Sequence, residues 1–249
     1  MQSRVDSTIS ERAVSLGTLY LIPVPLAEAD LAQVLPAQAT TIAARLTHFA
    51  VENAKTARHW LKWLNHPAEL RQLSITELSG KESVSELSAL VAPLLKGHDM
   101  GVMSEAGCPG VADPGANLVR HAHQLGIKVV PLVGPSSLLL ALMASGLNGQ
   151  RFKFHGYLPV DRVQRAKVIV DLETSSRQGK ETQIFIETPY RNDAMFKALL
   201  ETCKGDTLLC IAADVTGNAE MIATRTISAW RSNQPDLDKR PTVFLLLAI

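Results

Sequence analysis

Twelve residues, Ser104 to Gly115 (SEAGCPGVADPG), carry three glycines and two prolines. Gly107, Gly110 and Gly115 permit backbone turns that other residues resist, and they let a ligand lie against bare N–H and C=O groups. Pro109 and Pro114 stiffen the loop and lower the entropy lost on binding. The chemistry this suggests is main-chain capture of a small ligand; the plainer alternative is a surface turn. Three carboxylates are candidates to work beside such a ligand: Glu105 and Asp113 in this loop, and Glu52 at the end of the short apolar run HFAVE. A carboxylate so placed can take a proton from a hydroxyl or amine. Glu105 can also cap its own loop by accepting main-chain N–H bonds. Asn53 has the character of a helix N-cap, with substrate contact second. Lys55 can hold a phosphate or carboxylate as a point charge, or stand solvated on the first helical turn.

The elements that must position these groups follow from hydrophobic periodicity. Strands are expected over 18–24, 48–52, 71–78, 100–103 and 127–132. Helices are expected over 41–46, 54–64, 82–96, 117–125 and 135–144, with Gly97 closing the third. Residues 145–151 read as a linker. Beyond it strands are expected over 152–158, 183–187, 207–213, 221–226 and 242–249, with helices over 161–176 and 189–203 and a helical turn over 227–231. The reading is two α/β domains, 17–146 and 147–249, after a flexible lead-in over 1–16. Glycines and small polar residues fall at the carboxyl ends of the strands, where open α/β sheets bind ligands.

The 249 residues are 46% hydrophobic and 20% charged, ordinary values for a globular protein. Lys+Arg number 25 against Asp+Glu 24, so no strong basic footprint is present. Aromatics at 5% disfavour a base-stacking platform. The three cysteines, Cys108, Cys203 and Cys210, fit no zinc spacing and no complete disulfide framework, which points to a reducing, cytoplasmic home. No apolar run reaches a membrane span, and the polar start MQSRVDSTISER lacks a signal-peptide core. GxGxxG, Walker A, GxSxG and HExxH motifs do not occur in the sequence. His121 and His123 share a helix and read as solvent-facing rather than as metal ligands, so no metal is expected. Cys108 reads as a small, buried side chain in a tight loop, not a nucleophile.

Five stretches in order carry a resemblance: GTLYLIPVPLAE (17–28), SEAGCPGVADPG (104–115), VGPSSLLLALMASGL (133–147), FKFHGYLP (152–159) and ETPYR (187–191). Together they resemble the tetrapyrrole methylase superfamily of class III S-adenosylmethionine-dependent methyltransferases, and within it the ribosomal RNA small subunit methyltransferase I branch. The resemblance covers nearly the whole chain from Gly17. It implies two α/β domains with the methyl donor, S-adenosyl-L-methionine, in the cleft between them, and a homodimer. Carried over residue by residue, it implies donor contacts at Gly107, Cys108 and Pro109, main-chain contacts at Val111 and Ala112, and a donor pocket lined by Ser136 and Ser137. Pro25 and Glu187 fall on the donor side, and Asp214, Pro241 and Thr242 fall where the second domain closes over the adenine. Glu105, Lys55 and Asn53 are the catalytic candidates.

The branch pattern AEDTR appears here as VENAK, so its acid is Asn53 and its arginine Lys55. PIGN is replaced by PLAE, and the Glu and Lys of ELTK are absent near Asp214. These departures lie on the acceptor side and suggest a divergent paralogue. The first reading is a methyltransferase on RNA, such as a ribosomal RNA ribose 2′-hydroxyl on a 30S particle. A small-molecule acceptor such as a tetrapyrrole and a non-catalytic donor-binding protein are the alternatives. Arg162, Arg165 and Lys167 can contact phosphates or form a solvated helix face.

Overall fold

A computed structural model describes residues 15–249. The lead-in expected over 1–16 lies outside them, apart from Ser15 and Leu16. Among the described residues the strands are β1 (Thr18–Leu21), β2 (His48–Val51), β3 (Ser74–Glu77), β4 (Met100–Met103), β5 (Lys128–Pro131), β6 (Phe152–Tyr157), β7 (Thr182–Glu187), β8 (Leu208–Ala213), β9 (Met221–Thr226) and β10 (Thr242–Leu247). The helices are α1 (Leu31–Val34), α2 (Ala37–Arg45), α3 (Ala54–Trp63), α4 (Val84–Leu95), α5 (Ala116–Gln124), α6 (Ser137–Ser145), α7 (Arg162–Gly179), α8 (Asn192–Thr202) and α9 (Ile227–Ser232). Among the described residues, periodicity does not anticipate short α1, capped by Asp30, since four residues hold too little pattern.

The chain groups into two compact units. The first runs to Ile22 and adds Thr40–Glu105 and Pro109–Leu132. Its five strands lie in the order β3-β2-β4-β1-β5, and every pairing is parallel. Parallel strands buried on both faces need continuous apolar runs, and β4 is buried at all four residues. Leu19, Ala50, Val91, Leu94, Val102 and Leu118 form part of its core. Because the strands run one way, their carboxyl ends share an edge. Val51 pairs with Met103 and Leu21 with Val102, which sets the loops after β2 and β4 side by side.

The second unit comprises Pro23–Ala39, Ala106–Cys108 and Val133–Ile249. Its sheet has the order β6-β7-β10-β8-β9, with β6 parallel to β7 and the other pairings antiparallel. Phe185, Leu209, Ile211 and Phe244 face a core built with α7, α8 and α9, while Ile184, Cys210, Ala212 and Leu245 face α6. Sequence pattern places the domain break after residue 146. The contacts place 133–146 with the second sheet instead, because Ala141 and Leu142 of α6 bury against Cys210, Val243 and Leu245. Helix periodicity shows which face is apolar, but not which sheet it will cover.

Candidate functional site

In the first unit the site is built on the adjacent ends of β2 and β4. Glu52 N–H donates to the Met103 carbonyl at 3.0 Å, extending the strand pairing by one residue. The Glu52 carboxylate then accepts the main-chain N–H of Glu105 at 2.9 Å. The capping role expected of Glu105 therefore belongs to Glu52, and Glu105 is the donor. Its own carboxylate accepts the Thr56 hydroxyl at 3.1 Å and is exposed. Thr56 is a residue that sequence reasoning missed; its signal is its place in the first turn of α3. Asn53 is the N-cap, its Oδ1 accepting from Lys55 N at 2.9 Å and Thr56 N at 3.1 Å. Asn and Asp fill that position about equally well, so the departure from the branch acid leaves the local geometry intact. Across the edge, Glu77 at the end of β3 accepts the Ala54 N–H at 2.7 Å. Lys55 is exposed, one residue into the helix.

Asp113 completes this carboxylate group. Burial pushes its pKa from the ordinary 3.8 to about 6, the charges of Glu52 and Glu105 push the same way, and the Ser104 hydroxyl opposes them. A carboxyl tuned toward neutrality beside two others is a better proton acceptor than an ordinary one. Gly110, Ala112 and Gly115 around it have φ of +80°, +65° and +126°. Ala112 is the surprise, since alanine in the left-handed region is strained by about 1 kcal/mol. Val111 is 48% exposed beside it, and Pro109 is buried.

In the second unit, Gly107 forms a two-way main-chain bridge with Val24, at 2.9 and 2.8 Å. Its φ is +74°, and a Cβ there would meet Leu26 at 3.3 Å and the Pro135 carbonyl at 3.8 Å. Pro25 is buried beside the bridge. The Cys108 thiol, half-buried, lies 3.4 Å from the Pro135 carbonyl. Ser136 is the N-cap residue of α6, Ser137 is its first residue, and both are half-buried. Gly134 has Pro23 where a Cβ would be, at 2.2 Å, so this turn admits no side chain.

The remaining candidates meet at one end of the second sheet. Thr242 opens β10 opposite both Glu187 and Ala213. The Glu187 side chain is fully buried and ion-paired to Arg191 at 2.6 Å, with its second oxygen, Oε2, lacking a hydrogen bond. Asp214, at φ +49°, pairs with Arg240 at 2.6 Å, and its N–H donates to the Pro241 carbonyl at 2.9 Å. Asn192 reaches the Arg240 carbonyl at 2.6 Å and Thr242 Oγ1 at 3.2 Å. Arg191, Asn192 and Arg240 hold this corner. Asn192 and Arg240 lie far in sequence from the groups they serve, so the chain offers no local signal for them.

Of the three cations suggested after β6, Lys167 is exposed and Arg162 pairs with Glu201 at 3.2 Å. Arg165 is buried against the Val160 carbonyl, which removes it as a phosphate contact. His123 is exposed, whereas His121 is half-buried near Ser88. Among the described residues no group of His, Cys, Asp and Glu is arranged to hold a metal ion.

No family model matches the chain. Among solved structures it resembles the methyltransferase CobJ, with a TM-score of 0.60 over 93% of this chain and 94% of that one. At 18% identity that likeness shows the fold. Among curated proteins it is 32% identical over 205 residues to the ribosomal RNA small subunit methyltransferase I of Vibrio cholerae, covering 82% of this chain and 67% of that protein. It is 30% identical to the Pseudomonas aeruginosa enzyme of that name, covering 84% and 70%. The Streptococcus pyogenes enzyme matches at 29% over 98% and 80%. These relatives make the chain a methyltransferase. The chain belongs to the ribosomal RNA small subunit methyltransferase I family.

Proposed function

We propose that the chain transfers a methyl group from S-adenosyl-L-methionine to a ribose 2′-hydroxyl of small-subunit ribosomal RNA. Two of its curated relatives carry that RNA in their names and cover more than four fifths of this chain. The observation that carries the chemistry is Asp113, its pKa raised to about 6 among Glu52 and Glu105. The bound donor supplies a methyl already activated on a sulfonium. What remains for the protein is alignment and removal of the hydroxyl proton. Asp113 takes that proton as the new bond forms, and Glu105, tied to Thr56, positions the acceptor.

The residues present suit the donor. The main-chain bridge at Gly107 and the positive φ there leave backbone where a Cβ would intrude. Gly107, Cys108, Pro109, Val111 and Ala112 would hold the donor through main chain, with Pro25, Ser136 and Ser137 alongside. Glu187, Asp214, Pro241 and Thr242 would meet its adenosine, and the buried, unpaired Oε2 of Glu187 is an acceptor in want of a donor group. Calorimetric titration with S-adenosylmethionine and S-adenosylhomocysteine tests the donor; saturable one-to-one binding is expected, and absence of binding to both rejects it. Methyl incorporation into 30S particles from cells lacking the gene tests the acceptor; particles that take no label reject it.

A homodimer belongs to the same proposal. Helix α6 packs against β8, β9 and β10, and Phe152 and Tyr157 on edge strand β6 are 44% and 57% exposed. Phe152→Glu with Tyr157→Glu should give a monomer in sedimentation; an unchanged dimer moves the interface elsewhere. The cytoplasm is the proposed compartment, matching an RNA acceptor and cysteines that form no disulfide among the described residues. No helix among the described residues is long and apolar enough to cross a membrane.

A further inference from the structure

Helix α3 has two opposed faces. Ala57, Trp60 and Leu61 are buried against the first unit. Lys55, Arg58, His59 and Lys62 are all exposed. At 100° per residue these four fall in one stripe, opposite the buried face, with successive cations about one 5.4 Å turn apart. The helix, AKTARHWLKW, contains no acidic residue. In a chain with 25 basic and 24 acidic residues this is a local segregation of charge. Among the described residues, Lys55, Arg58 and Lys62 form no ion pair with Asp or Glu, whereas Arg71, Arg162, Arg191 and Arg240 do.

The stripe begins where the candidate chemistry is. Asn53 caps α3, and Thr56 in its first turn holds the Glu105 carboxylate. The helix therefore starts at the carboxylate group and carries its cations away from it. A surface evolved only for solubility gains from mixed signs, and α7 carries both, with Arg162, Lys167 and Asp171 all exposed. A phosphodiester chain is the ligand that rewards an uninterrupted row of cations, because each one neutralised releases counterions.

We propose that the exposed face of α3 is the track for the RNA backbone leading to the methylated nucleotide, with Arg58 and Lys62 holding phosphates beyond the one nearest Lys55. The proposal rests on the RNA reading of the acceptor. It assigns to α3 a surface that fits a single strand of RNA by charge, with no reading of sequence.

The test is filter binding of radiolabelled small-subunit ribosomal RNA over a potassium chloride series. Wild type is compared with Arg58→Ala/Lys62→Ala and with a charge-matched pair on the second unit, Lys167→Ala/Lys197→Ala. Loss of two phosphate contacts should reduce the slope of log affinity against log salt by about 1.4 to 1.8. That change is expected in the α3 variant and not in the other. Donor affinity by calorimetry and thermal melting should match wild type in both, which separates lost RNA contact from lost fold. An unchanged slope in the α3 variant overturns the proposal while leaving the RNA acceptor intact. A slope reduced only in the Lys167/Lys197 pair relocates the track to the face of α7 and α8 and overturns it equally. Wild-type protein that binds donor but not RNA removes the acceptor reading itself, and this proposal with it.

Discussion

The carboxylate of Glu52 accepts the main-chain N–H of Glu105 at 2.9 Å, across 53 positions of sequence. One side chain thereby ties the loop after β2 to the loop after β4, and its charge helps hold the proton on Asp113. Replacing Glu52 with Gln keeps an acceptor oxygen and removes the charge. The acid limb of the pH–rate profile should then move to lower pH, since Asp113 ionises more easily. Glu52→Ala should in addition lower kcat about tenfold through the loosened loop. A profile that does not move in Glu52→Gln would separate Asp113 from the kinetic ionisation.

Asp113 itself gives opposite signs in stability and activity. Its carboxyl ionises near 6 in the fold against an ordinary 3.8. Between those values the folded chain holds more protons than the unfolded one, so this group's contribution to stability falls as pH rises from about 4 to 6. Asp113→Asn should therefore melt higher than wild type at pH 8, with the difference shrinking toward pH 4. The same variant should lose about a hundredfold or more in turnover. Melting curves and initial rates across that range check both. A variant that is both less stable at pH 8 and fully active contradicts the assignment.

Gly107 sits at φ +74° within the bridge to Val24. Gly107→Val should cost about 1 to 2 kcal/mol for the left-handed conformation alone, and its branches would press on Leu26. Donor affinity should fall at least tenfold while circular dichroism still reports a folded protein. Unchanged affinity in a folded variant would clear this turn of any donor contact.

The buried pair of Glu187 and Arg191 should behave asymmetrically. Arg191→Met strands a fully buried carboxylate. Because the arginine side chain is 34% exposed, we expect about 2 to 3 kcal/mol, below the cost of breaking a wholly buried pair. Glu187→Leu combined with Arg191→Met removes both charges and should recover most of that loss. Urea unfolding of the single and double variants measures it; equal destabilisation in both would show that packing, not charge, dominates the corner.

Much of this protein is legible before folding is considered. The three glycines of residues 104–115 all take positive φ, because only a residue without Cβ does so at no cost, and the choice is local. Asn53 caps α3, Ser83 and Glu86 form a capping box on α4, and Asp161 caps α7, since a cap needs only its neighbours. Strand and helix positions follow from periods of two and 3.6.

Tertiary structure alone decided the rest. The order β3-β2-β4-β1-β5 sets β2 beside β4, and from that adjacency come the contact of Glu52 with Glu105 and the charges that add to burial in raising the pKa of Asp113. The pairing of Asp214 with Arg240, and of α6 with the second sheet rather than the first, arises in the same way. These depend on through-space distance and on water excluded by neighbours remote in the chain. A protonation state is set by that surrounding charge and burial, and neither has a periodicity that the sequence can display.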